Sequence, residues 1–227
     1  MDYKRKPRFL GLIVAVTLLG SSLLLITCIA LLYLLPFQGQ QQKQESFAEN
    51  MSSMGSMGSM GYTNYTSSNF IIYQNDTMNI KIEYPAVWKL TEHNSANNKL
   101  LEFIAPPESH MDMFPPVVTV SVRNLTSNNV TLAMYTKENL DEAKRSLPSF
   151  QLVESNDTTL DGLKAHRIVY TFVSSNPSAQ LHFQTMNIWA IKDDRVYTFT
   201  YSDSRLEYTR HMPIIQKMID SFKVVRG

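Results

Sequence analysis

Residues 158–201 read TTLDGLKAHRIVYTFVSSNPSAQLHFQTMNIWAIKDDRVYTFTY, and the way this stretch is punctuated decides the fold. Asp161-Gly162 and Asp193-Asp194 are pairs that tolerate the left-handed backbone of a tight hairpin. The runs they separate, 158–160, 163–173, 182–191 and 195–201, are rich in β-branched and aromatic residues and predict strands joined as hairpins. On the second run His166 shares a face with Ile168, Tyr170 and Phe172, the placement of a core-edge histidine satisfied by its neighbours.

Working outward, residues 152–155 form a further strand before Asn156-Asp157, and 70–73, 80–84, 88–91, 100–105 and 117–122 read as strands separated by polar or proline-rich connections. Ile80, Ile82 and Tyr84 alternate with Lys81 and Glu83, as one buried face requires. Thr131 caps a helix running to residue 147: Leu132, Tyr135, Leu140, Ala143 and Leu147 fall on one side, and Pro148 ends it. A last helix carries Tyr208, Met212, Ile215, Met218, Ile219 and Phe222 on one stripe, with Pro213 starting or kinking its regular part. The expected fold is α+β, an antiparallel β-sheet flanked by helices, with no βαβ alternation.

The first third of the chain is different in kind. Residues 9–35 carry no charge, and a helix of that length spans about 40 Å, more than the roughly 30 Å hydrocarbon core of a bilayer. The run is too long for a signal-peptide core and ends at Tyr33, Leu34, Leu35, Pro36 and Phe37 rather than at a small-residue cleavage site, so it reads as an uncleaved anchor. Lys4, Arg5, Lys6 and Arg8 precede it, which holds the N-terminus in the cytoplasm and exports the rest. The chain divides into a basic tail at 1–8, a transmembrane anchor at 9–37 in contact with the lipid bilayer, a flexible linker at 38–67 and an extracytoplasmic domain at 68–227.

Of the chain's formal charge of +1, the basic tail supplies +3 and the remainder is net −2, which excludes a nucleic-acid partner because no dense cationic surface is present to displace phosphate counterions. The one cysteine, Cys28, lies within the apolar run, so the folded part has no disulfide and no thiolate chemistry. Six Asn-x-Ser/Thr sequons at Asn50, Asn64, Asn75, Asn124, Asn129 and Asn156 fit a glycosylated exterior. In the linker, Met51, Met54, Met57 and Met60 recur every three residues within a Ser-Met-Gly repeat. Soft thioethers favour Cu(I), so extracellular copper handling is an alternative function, set against an unconstrained linker repeat. His110, Met111, Asp112 and Met113 form a second soft group beside Pro115 and Pro116, where a loop histidine is the simpler reading.

Three segments carry a family resemblance: residues 80–88, with Tyr84, Pro85 and Trp88; Asp161, Gly162, Ala165 and Tyr170; and residues 196–201 followed by Ile219, Asp220, Ser221, Phe222, Lys223 and Val224. Over residues 68–225 the sequence resembles the PsbP-like family, named after an extrinsic subunit of the photosynthetic oxygen-evolving complex. The resemblance implies an α/β/α sandwich and a non-enzymatic accessory role on a larger membrane or cell-surface complex, through a protein partner the sequence does not identify. It does not imply photosynthesis, because an anchor and a methionine-rich linker stand where photosynthetic members have a targeting peptide. A histidine that some plant members carry falls here on Gln184.

No Gly-rich phosphate loop, His-Glu-x-x-His helix or Gly-x-Ser-x-Gly elbow is present, and no catalytic or cofactor-binding residue is assigned. A hydrolase is the remaining alternative; it requires a nucleophile within hydrogen-bond reach of a base, and the linear sequence displays no such pair. His93, His182 and His211 stand in no motif, and Asp193 with Asp194 read as solvated turn residues rather than a cation shell.

Overall fold

A computed structural model describes residues 69–94, 98–107, 114–125, 127, 129–174 and 180–225. The anchor expected at 9–37 and the linker at 38–67 lie outside them; among the described residues no helix is long and apolar enough to cross a membrane.

The elements run β1 (Phe70–Asn75), β2 (Ile80–Pro85), β3 (Lys89–Asn94), β4 (Asn98–Ile104), β5 (Val117–Asn124), α1 (Leu132–Ser146), β6 (Gln151–Leu160), β7 (Leu163–Val173), β8 (His182–Lys192), β9 (Arg195–Ser204), α2 (Tyr208–Ser221) and β10 (Lys223–Val224). Strands β3-β4-β5-β9-β8-β7-β6 form one antiparallel sheet, and β1-β2-β10 a smaller one. Alternation along each strand separates two cores. Ala165, Val169, Ile188, Tyr197, Phe199 and Tyr201 face α2 and the small sheet, meeting Ile80, Ile82, Ile215, Met218 and Phe222. Ile168, Tyr170, Phe172, Trp189 and Val196 face the opposite way, onto Tyr135, Ala143 and Leu147 of α1 and its end. The large sheet is thus the middle layer.

Local chemistry sets the joints. Thr131 Oγ1 accepts from the Met134 backbone N–H at 3.2 Å, the cap expected for α1, and Lys144 and Arg145 oppose the dipole at the other end. Asp161 and Gly162 have φ of 50° and 73°, and Asp193 and Asp194 have 50° and 57°, so both turns are two-residue hairpins with both central residues left-handed.

Three expectations are corrected, and one short strand had no counterpart in the sequence reading. Residues 152–155 and 158–160 belong to one strand, β6, because pairing with β7 runs through Asn156-Asp157 and the irregularity falls at Leu152/Glu154, where Val153 bulges out. Strand β3 starts after Trp88, which is buried in the core. Helix α2 begins at Tyr208, well before Pro213: Thr209 and Pro213 both face solvent, so the carbonyl that Pro213 cannot bond stays hydrated while Tyr208 and His211 anchor the first turn. Strand β10 is too short to show a period. It is held by pairing of Lys223 with Lys81 and Val224 with Ile80, and by Asp161, whose Oδ2 accepts from Val224 N–H at 2.8 Å and whose Oδ1 meets Lys223 Nζ at 3.0 Å. That carboxylate joins the second and third segments of the family pattern.

Candidate functional site

The tight Asp161-Gly162 turn fixes the register of β6 against β7. Leu160 opposes Leu163, and counting outward Asp157 opposes His166 while Ser155 opposes Ile168. Ser155 and Asp157, two residues apart, share a face and flank His166 on the neighbouring strand. Ser155 Oγ lies 2.9 Å from His166 Nε2, and His166 Nδ1 lies 2.8 Å from Asp157 Oδ1. Beneath the imidazole, Trp189 stacks with ring centroids 6.4 Å apart, and its own Nε1–H donates to Thr136 Oγ1 of α1 at 2.9 Å. The imidazole side chain is 15% exposed and the Asp157 carboxylate 92%, so the chain of hydrogen bonds opens to solvent at the acid. His166 is satisfied at the edge of the core, as the strand pattern predicts. The serine and carboxylate that satisfy it complete a Ser155–His166–Asp157 chain of hydrogen bonds that the linear sequence conceals. The signal was available: a two-residue turn at 161–162 implies the pairing of 157 with 166.

A second constellation lies on the other face, where β9 meets α2. Asp203 and His211 are both buried, with His211 Nδ1 2.8 Å from Asp203 Oδ2. The Tyr201 hydroxyl stands 2.9 Å from both Asp203 Oδ2 and the Tyr208 carbonyl oxygen, Ser204 N–H donates to Asp203 Oδ1 at 2.6 Å, and the Tyr201 and Tyr208 rings stack at 4.9 Å. Nearby, Arg167 pairs with Glu154, whose carboxyl it holds below the usual carboxylate range. Burial raises the Tyr208 phenol to about 12, opposed by Arg167 and a hydrogen bond from Gln184. Burial also raises Tyr170 and Tyr201, the latter further because of the Asp203 charge.

These tyrosines give the domain an alkaline limit. A phenol raised in the folded state is neutral in both states below pH of about 10, so its contribution is then complete; between about 10 and 12 only the unfolded chain loses the proton. Each such tyrosine therefore lowers stability by about 1.4 kcal/mol per pH unit in that window. A series of melting temperatures should be flat to the edge of the window and then fall steeply; a curve still flat at its upper end contradicts the burial of these phenols.

The other sequence-derived residues are not drawn into either constellation. Met51, Met54, Met57 and Met60, with Asn50 and Asn64, lie outside the described residues, as do His110, Met111, Asp112 and Met113. Asn124, Asn129 and Asn156 are exposed, whereas Asn75 is half-buried and caps the β1–β2 turn, its Oδ1 accepting from Thr77 and Met78 N–H at 3.0 Å and its Nδ2 donating to Tyr73. His93 Nε2 sits 3.5 Å from Glu102, and among the described residues no three His, Cys, Asp or Glu side chains gather as a metal shell. Asp193 and Asp194 are turn residues. Leu206, 90% exposed beside the start of α2, and Val153, 60% exposed at the bulge, are the most accessible large apolar side chains described.

A layered α+β domain, with its polar constellations on the faces and edge of one antiparallel sheet, is the class these features define. A family model described as PsbP-like protein matches residues 31–224, and the chain belongs to that family. Among solved structures, a protein of unknown function from Pseudomonas aeruginosa superposes with a TM-score of 0.50 at 16% identity, over 70% of this chain and 99% of the other. The cyanobacterial PsbP of Synechocystis gives 0.49 at 14% identity, over 75% and 98%. LpqN of Mycobacterium tuberculosis, involved in cell envelope biogenesis, gives 0.48 at 16% identity, over 65% and 83%. At these identities the likeness concerns the fold. No curated protein sequence matches the chain.

Proposed function

We propose that this protein is a membrane-tethered, extracytoplasmic accessory factor whose PsbP-like domain docks on a protein partner in a larger envelope complex. The observation that carries the reading is membership of the PsbP-like family, whose resemblance implies accessory roles, in a chain that also carries an apolar, basic-flanked run at 9–37. On this reading residues 38–67 serve as the tether, and a flexible chain of that length would have a root-mean-square extension of about 30 Å, enough to let the domain search the surface around its anchor. Tethering raises the effective concentration of a weak docking surface, so a shallow interface suffices. The exposed sequons at Asn124, Asn129 and Asn156 are compatible with an exterior address.

The test is crosslinking on intact cells followed by purification of the full chain. The reading predicts one discrete protein recovered in constant proportion, and lost when the anchor is retained but residues 69–225 are deleted. Recovery of the chain without any protein in constant proportion would overturn it.

A further inference from the structure

We propose that Ser155 is a nucleophile toward small, accessible carboxylic esters, with His166 as its general base and Asp157 orienting the imidazole. This goes beyond the docking reading and stands independently of it.

The atoms are arranged as acyl transfer requires. His166 presents Nε2 to the Ser155 hydroxyl at 2.9 Å and Nδ1 to the Asp157 carboxylate at 2.8 Å, so with Nδ1–H donated to Asp157 the Nε2 lone pair faces the serine. The imidazole cannot swing freely, being stacked on Trp189, which Thr136 fixes in turn. All three residues sit on adjacent paired strands of one sheet rather than on a loop, which holds their geometry. Ser155 is itself exposed, so an ester reaches Oγ without any opening motion.

Register supplies the remaining part. In a two-residue hairpin the residues flanking the turn, Leu160 and Leu163, exchange both ladder bonds, and alternate pairs then exchange none. The pairs 157/166 and 155/168 are of the second kind, so the N–H groups of Ser155 and Asp157 point to the outer edge of β6, the last strand in the sheet order. Those N–H groups, on the strand that carries Ser155 and unpaired by the ladder with β7, are the donors assigned to an oxyanion forming on an acyl carbon attached at Ser155.

The step balances with water as the co-reactant. Ser155 Oγ bonds to the acyl carbon as its proton passes to His166 Nε2, and the ester C–O bond breaks as the leaving alkoxide takes that proton. Water, deprotonated by His166 Nε2, then attacks the acyl carbon, and the bond from that carbon to Ser155 Oγ breaks as Oγ takes the proton back from His166, releasing the carboxylic acid and restoring the serine hydroxyl. The class of substrate follows from the openness of the site: short acyl groups such as acetyl, carried on a small alcohol or on a surface polymer that can lie along the β6 edge. A positioned base contributes about 100- to 10,000-fold, and the solvent exposure of Asp157 places this site at the lower end.

Full-length protein in detergent, incubated with para-nitrophenyl acetate, tests the assignment. Nitrophenolate should be released, an acetyl group should appear on the peptide containing Ser155, and Ser155→Ala and His166→Ala should each lower the rate at least about tenfold, with Asp157→Asn costing less than that. Wild-type rates in Ser155→Ala, or acetylation confined to lysines, would overturn it. A second readout avoids acyl chemistry: Ser155→Cys should be alkylated by iodoacetamide about tenfold faster than the same variant also carrying His166→Ala, and equal rates would overturn the role of His166.

Discussion

Replacing Asp203 with alanine is expected to lower the stability of the domain by about 3–5 kcal/mol, because several buried hydrogen bonds to one carboxylate are lost at once and their donors are left inside the protein. The carboxylate accepts from the Ser204 backbone, the Tyr201 hydroxyl and His211 Nδ1 at once, and it is 3% exposed. The variant removes the acceptor at His211 Nδ1 and takes from the Tyr201 hydroxyl one of its two acceptors, the other being the Tyr208 carbonyl. The pair also joins the end of β9 to the first buried turn of α2, so its loss loosens the helix that covers the larger core. Urea unfolding measures the change. Adding His211→Ala to the Asp203 variant should cost far less than His211→Ala alone, because the two share one interaction. A loss below about 1 kcal/mol, or simple additivity, would show that the pair does not hold the joint.

Trp189→Ala is the second large effect, again about 3–5 kcal/mol, but for a different reason. The indole is fully buried between α1 and the sheet, with its ring edge-on to Tyr135 at 5.7 Å and its N–H on Thr136. Truncation removes a large apolar surface and leaves a cavity that neighbours on a rigid sheet cannot fill. Since α1 meets the sheet chiefly through this cluster, its amides should exchange with solvent markedly faster in the variant than those of β8 and β9. Trp189→Phe, which keeps most of the ring volume, should recover more than half of the loss. Equal protection of α1 in wild type and the alanine variant would contradict the anchoring role.

Much of the scaffold could be read from the residues. Asp161-Gly162 and Asp193-Asp194 announced their hairpins because few residues accept φ near 50° at two successive positions. Thr131 and Pro148 bracketed α1 through capping and the missing proline donor. What was hidden depended on tertiary contact. Asn156-Asp157 has turn chemistry, but seven-stranded pairing overrode it and carried β6 straight through. The stripe already placed Tyr208 on α2, but that the helix is regular ahead of Pro213 depends on Tyr208 and His211 finding partners across the β9–α2 turn. Both side-chain constellations join residues eight to eleven positions apart by strand pairing or by a turn. Ser155 and Asp157 come to His166 only once the register is drawn, and Asp203 comes to His211 only once α2 folds back on β9.

If the domain works outside the cell on a bilayer tether, as proposed, cysteine labelling on intact cells will reach it. Cys28, the sole native cysteine, is replaced by serine and a cysteine is placed at Asp193 in the exposed β8–β9 turn of the full chain. A membrane-impermeant maleimide should label this protein on intact cells, with the labelled chain remaining in the membrane fraction after alkaline extraction. Labelling that appears only after lysis would place the domain inside the cell, and release of the chain by alkali would rule out a bilayer-spanning anchor.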